Sequence, residues 1–243
     1  MSSRKAQTLM DAAWDEPDPN RRAKIARTVL EMDLSVIDAY GVLSECVDTN
    51  AERVALLREG VLQGEKIWAQ HLKPLSKNYF WQVAETRPFM QVLSHLSEAL
   101  WEIGDQNGAA DTVERLLRLN PQDNQGCRWR AVAWYPVLGE WPKVEKILRK
   151  YKVDTGTYMT YTKLLNCIRC GTGVDAAFEA AMGRNRHVLK ALLTARDRYP
   201  GPAPDSVSRG SEEEALSYAI QNLDAWQSVP GALDWIRAPR SAR

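Results

Sequence analysis

Residues 87–151 read RPFMQVLSHLSEALWEIGDQNGAADTVERLLRLNPQDNQGCRWRAVAWYPVLGEWPKVEKILRKY, and this stretch decides the fold. Two apolar patterns with helical spacing lie on either side of a glycine turn, and this arrangement occurs twice in succession. The first turn is at Gly104-Asp105 and the second at Gly139-Glu140. Asn120-Pro121 separates the two pairs of patterns, since Asn and Pro favour the end of a helix. We therefore predict two consecutive helical hairpins, the second beginning at Asp123-Asn124.

The spacing of the hairpins predicts how they assemble. Gly104 and Gly139 lie 35 residues apart, and the matching apolar positions Val113 and Val144 lie 31 residues apart. A helical hairpin that recurs at about 34 residues is typical of tetratricopeptide repeats. The sequence therefore predicts an all-α fold, a tetratricopeptide-like helical-hairpin solenoid that coils as a right-handed superhelix.

Breaks in the helical pattern divide the rest of the chain. Three prolines within five residues, Pro200 to Pro204, exclude a helix there. Ser211 and Glu214 have the spacing of an N-cap and its capping box, which predicts the start of a last long helix. We predict five segments: N-terminal helical hairpins in 1–70, a connecting segment in 71–86 with an extra helix over Leu75–Glu85, central tetratricopeptide-like hairpins in 87–200, a Pro-rich crossover in 201–209, and C-terminal capping helices in 210–243.

Composition and charge exclude several classes of function. Hydrophobic residues make up 44% and charged residues 26% of the chain, which indicates a folded protein. The 32 basic and 31 acidic residues are interspersed, so we expect neither nucleic acid nor a membrane surface as a partner. The sequence has no run of about eighteen apolar residues and no apolar signal-peptide core, so we expect a cytoplasmic protein.

Several short segments carry a resemblance to known proteins: Arg87-Pro88-Phe89-Met90, Leu119–Gly126, Gly210–Ala215, Ala225-Trp226 and Pro230–Leu233. On these segments the chain from about Trp81 to Trp235 looks like bacterial tetratricopeptide-repeat proteins, and it is similar to the suppressor of tumorigenicity seven family. Members of that family end in a comparable helix with an acidic start, a Trp and a Gly-Ala-Leu. Asn185-Arg186-His187-Val188 resembles the family's Asn-Pro-His-Val, with Arg186 in place of proline.

The resemblance implies a helical-repeat scaffold and supplies no catalytic residue. Eukaryotic members of the family carry membrane segments, and we do not expect their membrane setting to apply to a sequence without such a segment.

The predicted groove of the solenoid is the main candidate for a functional site. In tetratricopeptide domains the first helix of each hairpin lines the concave surface, which here brings Asn124, Arg128, Lys163 and Asn166 towards one face. Amide and basic side chains can bind the carboxylates and backbone of a peptide. We therefore predict a protein-protein interaction scaffold or adaptor with a protein or peptide partner. For any one of these residues, the alternative is an ordinary solvated position at the edge of a helix.

Two other interpretations remain open. Cys167 and Cys170 form a Cys-x-x-Cys that could hold a metal or cycle as a dithiol, so the alternative function is an enzyme or an enzyme-completing subunit that uses this pair or a pocket near the Pro-rich crossover. Structural zinc needs four ligands and no second pair is nearby in sequence, so we predict no metal. We also predict no cofactor and no catalytic residue. Self-association through the N-terminal hairpin would make the protein a homo-oligomer.

Overall fold

The computed structural model describes residues 4–72, 80–198 and 207–238, and within these ranges every regular element is helical. This confirms the predicted all-α class. The described ranges contain thirteen α-helices and two short 3₁₀-helices. The α-helices are α1 Arg4–Asp15, α2 Pro19–Met32, α3 Ile37–Ser44, α4 Asn50–Leu72, α5 Arg87–Glu102, α6 Gln106–Leu119, α7 Cys127–Val137, α8 Trp141–Lys150, α9 Thr157–Cys170, α10 Val174–Arg184, α11 Val188–Arg198, α12 Glu212–Gln227 and α13 Ala232–Arg237.

Glycines mark the turns within the predicted hairpins. Gly104, Gly139 and Gly171 all have positive φ, between 69° and 84°, a conformation that a residue without a Cβ adopts at little cost. Pro88 and Pro142 lie in the first turn of α5 and α8, where a missing N–H costs nothing. The local chemistry of these turns therefore agrees with the sequence pattern.

Two predicted boundaries differ from the structure. The helix expected to begin at Asp123-Asn124 begins at Cys127, because Asp123 has a φ of 56° and its carboxylate accepts a 2.7 Å hydrogen bond from the Cys127 N–H. The extra helix expected over Leu75–Glu85 is wrong in its described part. That part consists of two 3₁₀-helices, Phe80–Gln82 and Ala84–Thr86, and residues 75–79 lie outside the described ranges. Residues 201–206 of the predicted crossover also lie outside them.

The chain divides into two compact units, Met1–Cys127 and Arg128–Arg243. In the first unit, α1 packs on α2, α2 on α3, α3 on α4 and α5, and α5 on α4 and α6. Small side chains such as Ala6, Ala23 and Ala26 are buried where α1, α2 and α3 meet, which allows their backbones to approach closely. Neighbouring helices along the chain are therefore also neighbours in the packing of this unit.

Two glycines of α4 determine how closely it packs on its neighbours. A Cβ added at Gly60 would lie 2.8 Å from the Cβ of Tyr40 and 3.1 Å from a methyl group of Val92. A Cβ at Gly64 would lie far inside the van der Waals radius of the Phe89 ring. One face of α4 thus has glycine at two positions one turn apart, and α3 and α5 pack against them without space for a methyl group.

The second unit has a core of large aromatic and small aliphatic residues contributed by α9, α10, α11 and α12. Trp226 is fully buried, and its indole N–H donates a 3.0 Å hydrogen bond to the hydroxyl of Tyr218. Tyr161 is also fully buried, and its hydroxyl donates to the carbonyl of Asn185. Each polar group that these large rings bring into the core therefore has a partner, as burial requires.

The start of α12 confirms the predicted N-cap and corrects the predicted capping box. The Ser211 hydroxyl accepts a 3.1 Å hydrogen bond from the Glu214 N–H. The Glu214 carboxylate, however, accepts from the N–H of Gly210 and from the side-chain amide of Asn185. Because Asn185 supplies a second donor, the carboxylate can be buried instead of lying on the surface of the first turn.

A candidate partner-binding groove

A groove of about 750 Å³ lies in the second unit, along the end of α8, the loop that follows it, and the adjacent faces of α9 and α10. Its apolar floor includes Leu148 from α8 and Ala177 from α10. Met159 from α9 lines the same groove and is only 3% exposed. Three helices therefore position apolar side chains at the bottom of an open groove.

Three basic side chains line the edges of this groove: Arg149, Lys152 and Lys163. All three residues are exposed. In the described part of the chain, none of the three forms an ion pair with a carboxylate. Their charges are therefore available to an anionic group that enters the groove.

Asp154 also lines the groove, but its carboxylate is already bound. The Arg128 guanidinium donates to it at 2.7 Å, the Trp129 indole at 3.3 Å and the Gly156 N–H at 2.8 Å. Burial alone would raise the pKa of Asp154, but these hydrogen bonds and the charge of Arg128 outweigh it, so its pKa is lowered. Asp154 is therefore an ionised group whose charge Arg128 balances.

Glu145, the second acidic residue of the groove, is likewise paired. A guanidinium nitrogen of Arg169 lies 3.1 Å from its carboxylate, and the guanidinium stacks 4.5 Å from the centre of the Trp141 ring. Arg169 also donates two hydrogen bonds to the side-chain oxygen of Asn166, at 3.1 and 3.0 Å. The oxygen of Asn166 is thus occupied, and its NH₂ group remains available to donate into the groove.

The four residues predicted from sequence have different positions in the structure. Lys163 and Asn166 line the groove together. Arg128 holds Asp154, and its guanidinium also lies over the rings of Trp129 and Tyr151, so its most evident role is structural. Asn124 is exposed in the turn before α7, in the first compact unit.

Sequence reasoning missed Arg149 and Lys152. It placed the binding surface on the first helix of each hairpin only, whereas the groove also uses the end of α8, a second helix, and the loop after it. The signal that could have identified them is the basic run Arg149-Lys150-Tyr151-Lys152 at the end of a predicted helix.

The Cys-x-x-Cys lies at the end of α9, where Cys167 lines the groove and Cys170 is exposed. Burial raises the pKa of Cys167, and the nearby charge of Lys163 only partly opposes this shift. A raised pKa means less thiolate at neutral pH, which does not favour a reactive thiol. Within the described ranges, no group of three or more His, Cys, Asp and Glu side chains is placed to hold a metal ion.

A second cavity lies where α11 meets the start of α12, between His187 and Glu212, close to the end of the predicted crossover. Its volume is about 70 Å³, whereas sites for organic ligands usually span about 300–1,000 Å³. The imidazole of His187 lies 3.4 Å from the carboxylate of Glu212. As formed by the described residues, this cavity is too small for an organic substrate.

The fold and the groove define an all-helical protein of packed neighbouring helices with a basic, apolar-floored groove, and distant relatives of the chain are known. It is 24% identical over 264 residues to the human suppressor of tumorigenicity 7 protein-like, and 24% identical to the cattle and rat proteins of the same name. These similarities cover 95–96% of this chain and 45–46% of the relatives. No protein-family profile matches the chain.

The chain therefore spans slightly less than half the length of the curated relatives that it matches. The similarity extends beyond the residues 81–235 that carry the sequence resemblance, to nearly the whole chain. No helix in the described ranges is both long and apolar enough to cross a lipid bilayer.

Proposed function

We propose that this protein is a protein-protein interaction scaffold, built of tetratricopeptide-like hairpins in a right-handed solenoid, and that the groove along α8, α9 and α10 binds a segment of a partner protein. The hairpin spacing and the glycine turns support the solenoid architecture. The distant relatives are compatible with it, and their names specify no activity.

The observation that carries the proposal is the groove itself. Its volume of about 750 Å³ lies within the range of sites that hold organic ligands and peptide side chains. Its apolar floor can bury a side chain, and its three basic side chains and the Asn166 amide can bind carboxylates and carbonyls. Helical-repeat proteins bind their partners on extended concave surfaces, through side chains such as these.

Photo-crosslinking tests this proposal, because it reports which surface a partner contacts. A benzoylphenylalanine is introduced at Ala180, an exposed α10 residue that lines the groove. The matched control places the same crosslinker at Glu179, which is exposed on the same helix and is not a lining residue. Irradiation in the native cells should join a defined protein to the Ala180 variant and not to the Glu179 variant.

The crosslink should also disappear when Lys163→Glu is combined with the Ala180 variant, because that change reverses a charge at the edge of the groove. Equal products from both crosslinker positions, or none from the Ala180 variant, would contradict groove binding.

A further inference from the structure

We infer that the groove takes an extended segment of a partner protein in which acidic side chains flank an apolar side chain. This inference rests on the proposed function, since it names the chemistry of the partner that the groove would bind. It follows from three features of the lining: its net charge, its floor and its one amide donor.

The side chains that line the groove carry a net positive charge. Two acidic residues line the groove, and each is held by an arginine that is not a lining residue: Arg128 binds Asp154, and Arg169 binds Glu145. The three basic side chains of the edge have no such partner in the described part of the chain. A carboxylate that enters the groove therefore meets basic groups whose charge is uncompensated, while the resident carboxylates are already neutralised.

The apolar floor of the groove favours a partner segment that also carries an apolar side chain. Met159 and Ala177 are almost fully buried, at 3% and 4% exposure, whereas Leu148 is half-buried and Ala180 is exposed, and all four line the groove. An apolar side chain placed there removes the exposed surface of Leu148 and Ala180 from water, and the flexible thioether of Met159 can adapt to its shape. A purely anionic chain would leave that apolar surface in contact with water.

The amide donor favours an extended backbone. The side-chain oxygen of Asn166 is held by Arg169, which directs the NH₂ group to act as a donor. Asn166 lies three residues after Lys163 on α9, so both side chains are on the same face of the helix. An extended segment presents free backbone carbonyls to such a donor, whereas a helix has already used most of its carbonyls. One carboxylate on Lys163 and one carbonyl on Asn166 would then fix the direction of the segment.

Synthetic peptides test this inference with the 243-residue chain. The probe is a fluorescein-labelled decapeptide of alternating Glu and Leu, and its binding is followed by fluorescence anisotropy. We expect binding that weakens about tenfold or more when every Glu is replaced by Gln, and by a similar factor when every Leu is replaced by Ser. Equal binding of the Gln peptide would overturn the acidic part of the inference, and equal binding of the Ser peptide would overturn the apolar part.

Single substitutions place the peptide in the groove. Arg149→Ala, Lys152→Ala and Lys163→Ala should each weaken the Glu-Leu peptide about threefold, the usual effect of losing one exposed charged contact. Lys146→Ala is the matched control, because Lys146 is exposed on α8 and does not line the groove. Equal weakening by Lys146→Ala would mean non-specific attraction and would overturn the inference.

The two proposals can fail separately. If the Ala180 crosslinker captures a partner that binds without an acidic segment, groove recognition stands and the partner chemistry inferred here is wrong. If that crosslinker captures nothing and no peptide binds, both proposals are wrong.

Discussion

The side-chain amide of Asn185 donates a hydrogen bond to the carboxylate of Glu214, and the two atoms lie 3.0 Å apart. Glu214 is only 8% exposed, and the N–H of Gly210 donates to the same oxygen at 2.7 Å. Asn185 also donates to the Ser211 carbonyl, and its own carbonyl accepts from the hydroxyl of Tyr161. This one residue, at the end of α10, therefore links α9 to the start of α12 and satisfies a buried carboxylate.

Removing the amide of Asn185 should destabilise the second unit. In Asn185→Ala, Glu214 keeps one fewer donor for a buried charge, and we expect the free energy of unfolding to fall by about 2–3 kcal/mol. Urea unfolding followed by tryptophan fluorescence measures this, since Trp226 lies in the same core. Asn166→Ala is the control, because the hydrogen bonds of that half-buried amide are to the exposed residue Arg169.

An equal loss of stability in Asn185→Ala and Asn166→Ala would show that the hydrogen bond between Asn185 and Glu214 does not contribute more to stability than an exposed hydrogen bond. Asn185→Asp is a stronger test of the same contact. It replaces the amide donor with a second carboxylate against Glu214, so the variant should be less stable than Asn185→Ala near neutral pH.

Local sequence chemistry predicted the hairpins because each signal acts over a few residues. Gly104 and Gly139 turn the chain through a conformation that other residues avoid, and Pro88 and Pro142 begin helices. Ser211 as the N-cap of α12 follows from the same short-range logic. The all-helical class and most helix boundaries could therefore be predicted from sequence alone.

The binding groove could be predicted only in part, because it depends on contacts between distant residues. Lys163 and Asn166 could be placed on one helix face from their spacing. Arg128 donates a hydrogen bond to Asp154, which lies 26 residues later, and no local pattern in the sequence indicates this pairing. The same holds for Asn185 and Glu214, 29 residues apart, since a capping-box pattern shows the glutamate but not its second donor.

Gly64→Ala tests the close packing of α4 in the first unit. In an exposed helix this substitution usually stabilises a protein by up to about 1 kcal/mol. Here the new methyl group would enter the space of the Phe89 ring, so we expect a loss of about 1–3 kcal/mol, the usual cost of overpacking. Thermal unfolding by circular dichroism measures the change.

Gly183→Ala is the matched control for that substitution. Gly183 lies in α10, is exposed, and has no atom within 4 Å of an added Cβ. Gly183→Ala should therefore raise the free energy of unfolding by up to about 1 kcal/mol. A stabilising effect at both positions would contradict the close approach of α4 and α5.

The ion pair between Arg128 and Asp154 should make stability depend on pH. Their side chains are 17% and 18% exposed, and we expect Arg128→Ala to cost about 1–2 kcal/mol near neutral pH. Because the pKa of Asp154 is lowered in the folded protein, the pair stabilises the fold above the ordinary carboxyl pKa of 3.8. That contribution is lost as the pH falls through the lower folded value.

Urea unfolding of the wild type and Arg128→Ala in a series from about pH 7 down to about pH 2 measures this loss, and the difference in free energy of unfolding between the two proteins should narrow at the acid end. Lys163→Ala should leave stability unchanged across the series, since Lys163 is exposed and has no ion-pair partner among the described residues. A constant difference would exclude Asp154 as the titrating group. Lys163→Ala is therefore the cleaner variant for testing the groove, because Arg128→Ala also weakens the fold.

Asp38 should show the opposite dependence on pH. It lies in the first turn of α3, and burial together with the nearby charge of Asp11 raises its pKa from 3.8 to about 6. The folded protein therefore favours the protonated acid, so this group stabilises the fold fully below pH 3.8 and loses that contribution as the pH rises through about 6. At neutral pH the ionised carboxylate is a cost to the wild type.

Asp38→Asn removes that cost, and we expect it to raise the free energy of unfolding by about 1–2 kcal/mol at about pH 7.5 and to have little effect near pH 4. Asp11→Asn should give a smaller gain, because it removes only the second cause of the raised pKa. Asp15→Asn, at an exposed position of the same helix as Asp11, is the control for a general change in net charge. Urea unfolding across this pH range measures all three variants. A gain in Asp38→Asn that persists near pH 4, or an equal gain in Asp15→Asn, would mean that ionisation of Asp38 is not its cause.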